Sequence, residues 1–129
     1  MDSGAIRRRP LPVVAVLTGA VLLAFAAPGT ARAAATACAG REVRTVPFAT
    51  GTIHVHKRDG YVCALTVATK PGSKRPMSVT VQARGNRPVT DKGRYSRHAG
   101  PVTVHAGHRC VRVAGSVGSK SVHTDWILC

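Results

Sequence analysis

Beyond residue 40, apolar and polar residues alternate with a period of two, and no stretch there shows the 3.6-residue rhythm of an amphipathic helix. Thr52 to Lys57 (TIHVHK) sets Ile53 and Val55 on one face and His54 and His56 on the other. Met77 to Arg84 (MSVTVQAR) repeats the pattern, with Met77, Val79, Val81 and Ala83 inward and Ser78, Thr80, Gln82 and Arg84 outward. Tyr61 to Thr69 (YVCALTVAT) is the longest and most apolar run. Tyr61, Cys63, Leu65 and Val67 share one of its faces, and Val62 with Ala64 makes the other largely apolar too, which predicts a central strand. Glu42 to Phe48 is a weaker strand that Pro47 confines to an edge or to its own end. Val102 to Ala106, Arg109 to Val117 and Ser121 to Cys129 complete the set, and Arg94 to His98 is a further short candidate.

Turn chemistry separates these runs. Ala49-Thr50-Gly51 reverses the chain, and Asp59-Gly60 between alternating runs is a strong hairpin signal. Lys70 to Pro76 is a basic loop, Gly85 to Gly93 a long polar one, Ala99-Gly100-Pro101 a turn, and Gly118-Ser119-Lys120 closes a last hairpin. The spacing predicts an all-β fold, a small β-sandwich or barrel of about seven or eight short antiparallel strands. The expected core is Ile53, Val55, Leu65, Val67, Val79, Val81, Val102, Val104, Val111, Val113 and Trp126, with Tyr61 also inside.

The first residues change the picture of compartment. Arg7, Arg8 and Arg9 precede an uncharged apolar run, Val13 to Ala27, and Ala31-Arg32-Ala33 and Ala35-Thr36-Ala37 are small-residue cleavage patterns. This reads as an export signal over 1–37, cleaved near 33–37, ahead of one β domain over 38–129. A retained anchor is the competing reading, but the run is about 15 residues against the roughly 20 that span a bilayer. A lipid-modified Cys38 is disfavoured by Arg32 between the apolar run and the cysteine, and by the odd number of thiols it would leave.

Cys38, Cys63, Cys110 and Cys129 all fall in the β domain, and an even number in an exported chain points to disulfides. Their spacing lacks the close pairs of a zinc–thiolate site. Three pairings are open. Sequential pairing, Cys38–Cys63 with Cys110–Cys129, closes the shorter loops and is preferred.

Charge is the unusual property. The chain of 129 residues has a formal charge of +14. Removing Arg7, Arg8, Arg9, Arg32 and Asp2 with the signal leaves 15 basic residues against 4 acids, or +11. Candidate anion-binding residues are Lys57, Arg58, Lys70, Lys74, Arg75, Arg84, Arg87, Arg94, Arg97, Arg109 and Arg112. Such a domain should adhere to anionic polymers such as teichoic acids, acidic polysaccharide or extracellular DNA; the alternative is a charged surface that serves solubility. Specific nucleic-acid recognition is not expected, because stacking aromatics are few.

Catalytic chemistry finds little support. His54 and His56 share a strand face and His105 and His108 bracket a turn, but only Glu42, Asp59, Asp91 and Asp125 are available as carboxylates in the domain. No catalytic set, metal site or cofactor is expected: there is no G-x-S-x-G, no P-loop, no dinucleotide-binding glycine pattern and no thiol left unpaired.

Several segments together resemble the small actinomycete spore-associated proteins: Ala-Thr-Ala-Cys ending at Cys38, Gly60-Tyr61-Val62-Cys63, Tyr95 to Val104, Ala106 to Cys110, Ala114 to Gly118 and Trp126 to Cys129. The resemblance spans nearly the whole β domain, and its four-cysteine frame carries most of the specificity. It implies a secreted protein at or near the spore surface and supplies no catalytic residue. The expectation is a non-enzymatic, monomeric, secreted protein held at the cell or spore envelope through its basic surface, without a transmembrane segment once the signal is removed. A small inhibitor or effector acting on a protein target through Gly85 to Gly93 is the alternative. A hydrolase using His123 or His105 with Asp125 is less favoured.

Overall fold

The computed structural model describes residues 37–129; the expected export signal falls outside the described residues apart from Ala37. Eight strands follow one another: β1 Arg41–Phe48, β2 Gly51–Arg58, β3 Tyr61–Ala68, β4 Arg75–Ala83, β5 Val89–Tyr95, β6 His98–His105, β7 Val111–Val117 and β8 Lys120–His123. They form two four-stranded sheets, ordered β1-β2-β3-β6 and β5-β4-β7-β8, and every paired neighbour is antiparallel. The sheets face one another with β2 and β3 over β7, β3 and β6 over β4, and β1 over β8. The fold is therefore an all-β sandwich, and among the described residues no helix is long and apolar enough to cross a membrane.

Local sequence explains the hairpins. Arg58 pairs with Tyr61, leaving Asp59 and Gly60 as a two-residue loop with φ of 48° and 84°. Both values are positive, as the type I′ turn between twisted strands requires. At β7–β8 the loop is Gly118-Ser119, with Gly118 at φ 66°, the glycine-first arrangement of a type II′ turn.

The core is built from small aliphatic side chains. Ile53, Val55, Val62, Ala64, Ala68, Ala99 and Val102 come from one sheet, and Met77, Val79, Val81, Ala83, Val111, Val113 and Val117 from the other. Phe48, Tyr95, Val104 and Ile127 pack around this cluster without being fully buried. Where Gly115 of β7 faces β2 and β3, the sheets approach so closely that a Cβ there would stand 2.9 Å from Ile53 Cγ1 and collide with Thr66 Oγ1.

Several sequence expectations need correction. On β3 the inward residues are Val62, Ala64, Thr66 and Ala68, so Leu65 and Val67 lie on the outer face, half-buried. The small face goes inside because the close sheet approach leaves no room for the larger one. Tyr61 is 50% exposed rather than core. Trp126 is half-buried, outside the core cluster. The expected loop Gly85 to Gly93 is mostly strand: β5 begins at Val89 and pairs with β4 from Val81↔Val89 to Arg75↔Tyr95. A protruding inhibitor loop is accordingly reduced to residues 84–88. Arg94 to His98 is not a strand of its own but the end of β5, a bend and the start of β6.

Ala99-Gly100-Pro101 is no turn. It lies within β6 as an irregularity, with a cis Gly100–Pro101 peptide, Gly100 at φ 92°, and a register shift opposite Ala64 and Thr66 on β3. The irregularity lets both Ala99 and Val102 face inward, three residues apart. The terminal strand is shorter than expected. β8 stops at His123; beyond it Thr124 still bonds Val113 of β7, and Ile127 exchanges two backbone bonds with Val111.

The sheets are also tied by a carboxylate. The Tyr95 hydroxyl donates to Asp91 Oδ1 at 2.6 Å, and the Gly100 amide of β6 donates to Oδ2 at 2.7 Å. The bond to Asp91, helped by partial burial, holds the Tyr95 pKa above its ordinary value. Its stabilisation is complete below the usual tyrosine value of about 10 and is lost as pH rises through the raised one. Asp91→Ala strands both donors and is expected to cost about 2 kcal/mol. Urea unfolding measures this, and Tyr95→Phe should cost less because it leaves the Gly100 amide paired.

Candidate functional site

The sandwich has two poles. One is made by 49–50, the β3–β4 loop, 96–97 and the turn 118–119. It is knit by backbone bonds from Thr69 N to Thr50 O, Ala68 N to Arg97 O, Gly72 N to Ser96 O and Gly118 N to Pro76 O. The other holds the Asp59-Gly60 turn, residues 84–88, the β6–β7 turn and the terminal segment. There the Ala106 and Gly107 amides both donate to Gly60 O, and Arg84 N donates to Cys110 O. Both disulfides, Cys38–Cys63 and Cys110–Cys129, lie toward this second pole.

The candidate cations divide between the two ends. Lys70, Lys74, Arg75, Arg94 and Arg97 converge on the first pole, joined by Lys120 at the start of β8, which the sequence reading did not single out. The Arg75 guanidinium donates to the Lys70 carbonyl, and the Arg94 guanidinium donates to the Lys74 carbonyl at 3.2 Å, so these two arginines brace the basic loop. Beside them is an open hollow of about 420 Å³ lined by Thr50, Thr69, Lys70, Arg75 and Ser119. None of the carboxylates Glu42, Asp59, Asp91 and Asp125 belongs to the segments that form this pole. Uncompensated like charges in one place give a local field that attracts polyanions.

Lys57, Arg58, Arg84, Arg87, Arg109 and Arg112 sit toward the opposite pole, where acids intervene. Arg58 Nε is 3.6 Å from Asp59 Oδ2. Arg109 serves the fold: its guanidinium donates to the carbonyls of Ala106, Arg84 and His105 at 3.1, 3.1 and 2.9 Å. Its donors are turned to backbone and not to a ligand. Arg112 Nε donates to Gln82 Oε1 at 2.7 Å, and the Arg112 and Arg84 guanidinium carbons stand 4.7 and 5.5 Å from the Trp126 ring centre. The eleven candidates thus form neither one stripe nor an even scatter.

The histidines do not converge. His54 Nδ1 lies 2.6 Å from Glu42 Oε1, His56 Nδ1 is 3.2 Å from the Gly40 carbonyl, and His105 meets Tyr61 edge-on at 4.9 Å. Among the described residues no three His, Cys, Asp or Glu side chains stand close enough together to hold a metal ion. The only ion pairs among them are His54–Glu42 and Arg58–Asp59, so Asp125 is paired with neither His105 nor His123.

Comparison with protein-family models, curated proteins and solved structures finds no match to this chain.

Proposed function

We propose that this is a non-enzymatic, exported protein that holds to anionic polymers of the cell or spore envelope through its cationic pole. The observation that carries the reading is the gathering of Lys70, Lys74, Arg75, Arg94, Arg97 and Lys120 at one end, with no carboxylate in the segments that build it. Two disulfides in a small sandwich suit an oxidising, extracellular setting. The binding is electrostatic and tolerant of sequence and geometry, since flexible lysines at a loop surface act as point charges.

Retention on immobilised teichoic acid tests it. Binding should fall steeply as salt rises, because exposed contacts are screened beyond a Debye length of about 10 Å at 0.1 M. Replacing Lys70, Lys74 and Arg97 by glutamine removes three exposed contacts of about 0.5 kcal/mol each. The expected outcome is roughly tenfold weaker binding. A matched change of Lys57, Arg58 and Arg87 should have a much smaller effect. Salt-insensitive binding, or equal losses in the two triple variants, would sink the proposal.

A further inference from the structure

The outer face of the second sheet carries a different arrangement, independent of the cationic pole. Gln82 of β4 and Arg112 of β7 are register partners with side chains outward. The bridge between Val111 and Ile127 sets Trp126 beside Arg112 on the same outer face. Gln82, Arg112 and Trp126 therefore form a row across three adjacent segments. The next row is Thr80, Ala114 and His123, fixed by the pairs Thr80↔Ala114 and Ala114↔His123. Ala114 is the small member, and over it lies a hollow of about 380 Å³ walled by Thr80, Gln82, Arg112, His123 and Asp125. That volume falls within the roughly 300–1,000 Å³ of small-ligand sites.

Arg112 is held as a fixed fork. One side of it is bonded to Gln82 through Nε, and its guanidinium carbon stands over the Trp126 ring, 4.7 Å from the ring centre. Its two terminal nitrogens have no hydrogen-bond partner among the described residues. The segment bearing Asp125 and Trp126 is fixed as well. Thr124 N donates to Val113 O at 2.9 Å, Thr124 Oγ1 accepts from Val113 N at 3.1 Å, and Cys129 is bonded to Cys110. A guanidinium ordered before binding loses little freedom on capturing a ligand, and its paired donors match a planar carboxylate.

We propose that this hollow is a subsite for a carboxylated pyranose, a hexuronate unit of an acidic glycan. Arg112 takes the carboxylate through its terminal nitrogens. Thr80, Gln82, His123 and Asp125 offer the donors and acceptors that sugar hydroxyls require, over the apolar floor of Ala114. Asp125 sets the choice of anion: it accepts from hydroxyls, and it repels a phosphate, whose charge of about −1.5 to −2 exceeds that of a carboxylate. Trp126, its ring engaged by Arg112 and Arg84, is a positioning residue that keeps the fork in place.

Trp126 is the chain's sole tryptophan, so its emission reports on this site alone. The test titrates the protein with oligogalacturonate at an ionic strength that abolishes binding through the pole. A saturable change in Trp126 emission is expected. Arg112→Lys, which keeps the charge and loses the fork, should weaken binding at least tenfold with an unchanged melting temperature. The glutamine triple at Lys70, Lys74 and Arg97 should leave it unchanged, so this site and the pole can fail separately. Methyl-esterified oligogalacturonate should bind at least tenfold more weakly, and inorganic phosphate should not compete. Asp125→Asn should admit inorganic phosphate. Overturning results are a parent-like Arg112→Lys, equal binding of the methyl ester, or inorganic phosphate competing with the unaltered protein.

Discussion

Replacing Cys110 and Cys129 together by alanine is expected to lower stability by about 3 kcal/mol, the chain-entropy value for a closed loop of this size. The bond spans a sequence separation of 19, and inside that loop lie β7, one of the two strands at the centre of the second sheet, and all of β8. For a domain of this length the loss corresponds to a melting temperature lower by about 10–20 °C. The second readout is local. Beyond β8 the terminal segment is held by the paired Val111–Ile127 bonds, the Thr124–Val113 contacts and this disulfide. Without the disulfide, Trp126 should leave the Arg112 and Arg84 guanidinium groups more often, and its emission should move to the red. A melting point within a degree or two of the parent would mean that the backbone bonds suffice.

Gly115→Ala is the second large effect, expected to destabilise by about 3 kcal/mol, at the upper end for overpacking one methyl. The new carbon would overlap Thr66 Oγ1 and crowd Ile53 Cγ1 and Cδ1 at 2.9 and 3.0 Å. Neither neighbour can swing away, because Ile53 and Thr66 are fully buried on paired strands of the opposite sheet. Thr66 Oγ1 has no hydrogen-bond partner among the described residues, so deleting it removes an obstacle and no bond. Thr66→Ala in the Gly115→Ala background should therefore recover at least about 1 kcal/mol relative to the sum of the single changes. Strict additivity would show that the two positions do not share the strain.

These positions also show how far the chain could be read before its fold was known. Period-two alternation located β2 and β4 and their inward residues, because each has one plainly apolar and one plainly polar face. The Asp59-Gly60 turn was legible because few dipeptides accept two positive φ values. The sequential disulfide pairing is the one in the structure. The orientation of β3 is not legible in its residues, since both faces are apolar and side-chain size alone points the larger one inward, opposite to the face that is buried. What decides the matter is sheet separation at Gly115, and no local pattern encodes it.

β5 was missed because its Asp, Lys, Gly and Arg read as a loop. It is an edge strand of its sheet, where polar side chains find water, and its inward Asp91 is satisfied by Tyr95 and Gly100. The candidate cations could be named but not grouped. Lys70 and Arg97 lie on loops far apart in sequence that the crossing between sheets brings together. Trp126 was expected inside on its hydrophobicity alone. The available hint was register: arginines at outward positions 84 and 112 give an outward ring a cation to stack on.

The position of both crosslinks near one pole has a mechanical consequence. A pull applied between Ala37 and Cys129 enters the fold through Cys38 and Cys129 and crosses their disulfides to Cys63 and Cys110. The stretches 38–63 and 110–129 are thereby shunted and bear no extension while the bonds remain. Only the chain between Cys63 and Cys110 can pay out, roughly half the length that reduction would release at about 3.4 Å per residue. Load thus falls on β3 and β6, which pair with each other, and spares β7, the short β8 and the segment that holds Trp126. For a protein proposed to sit on an envelope, such a shunt would keep Arg112 and Trp126 together under tension even as the sandwich begins to open.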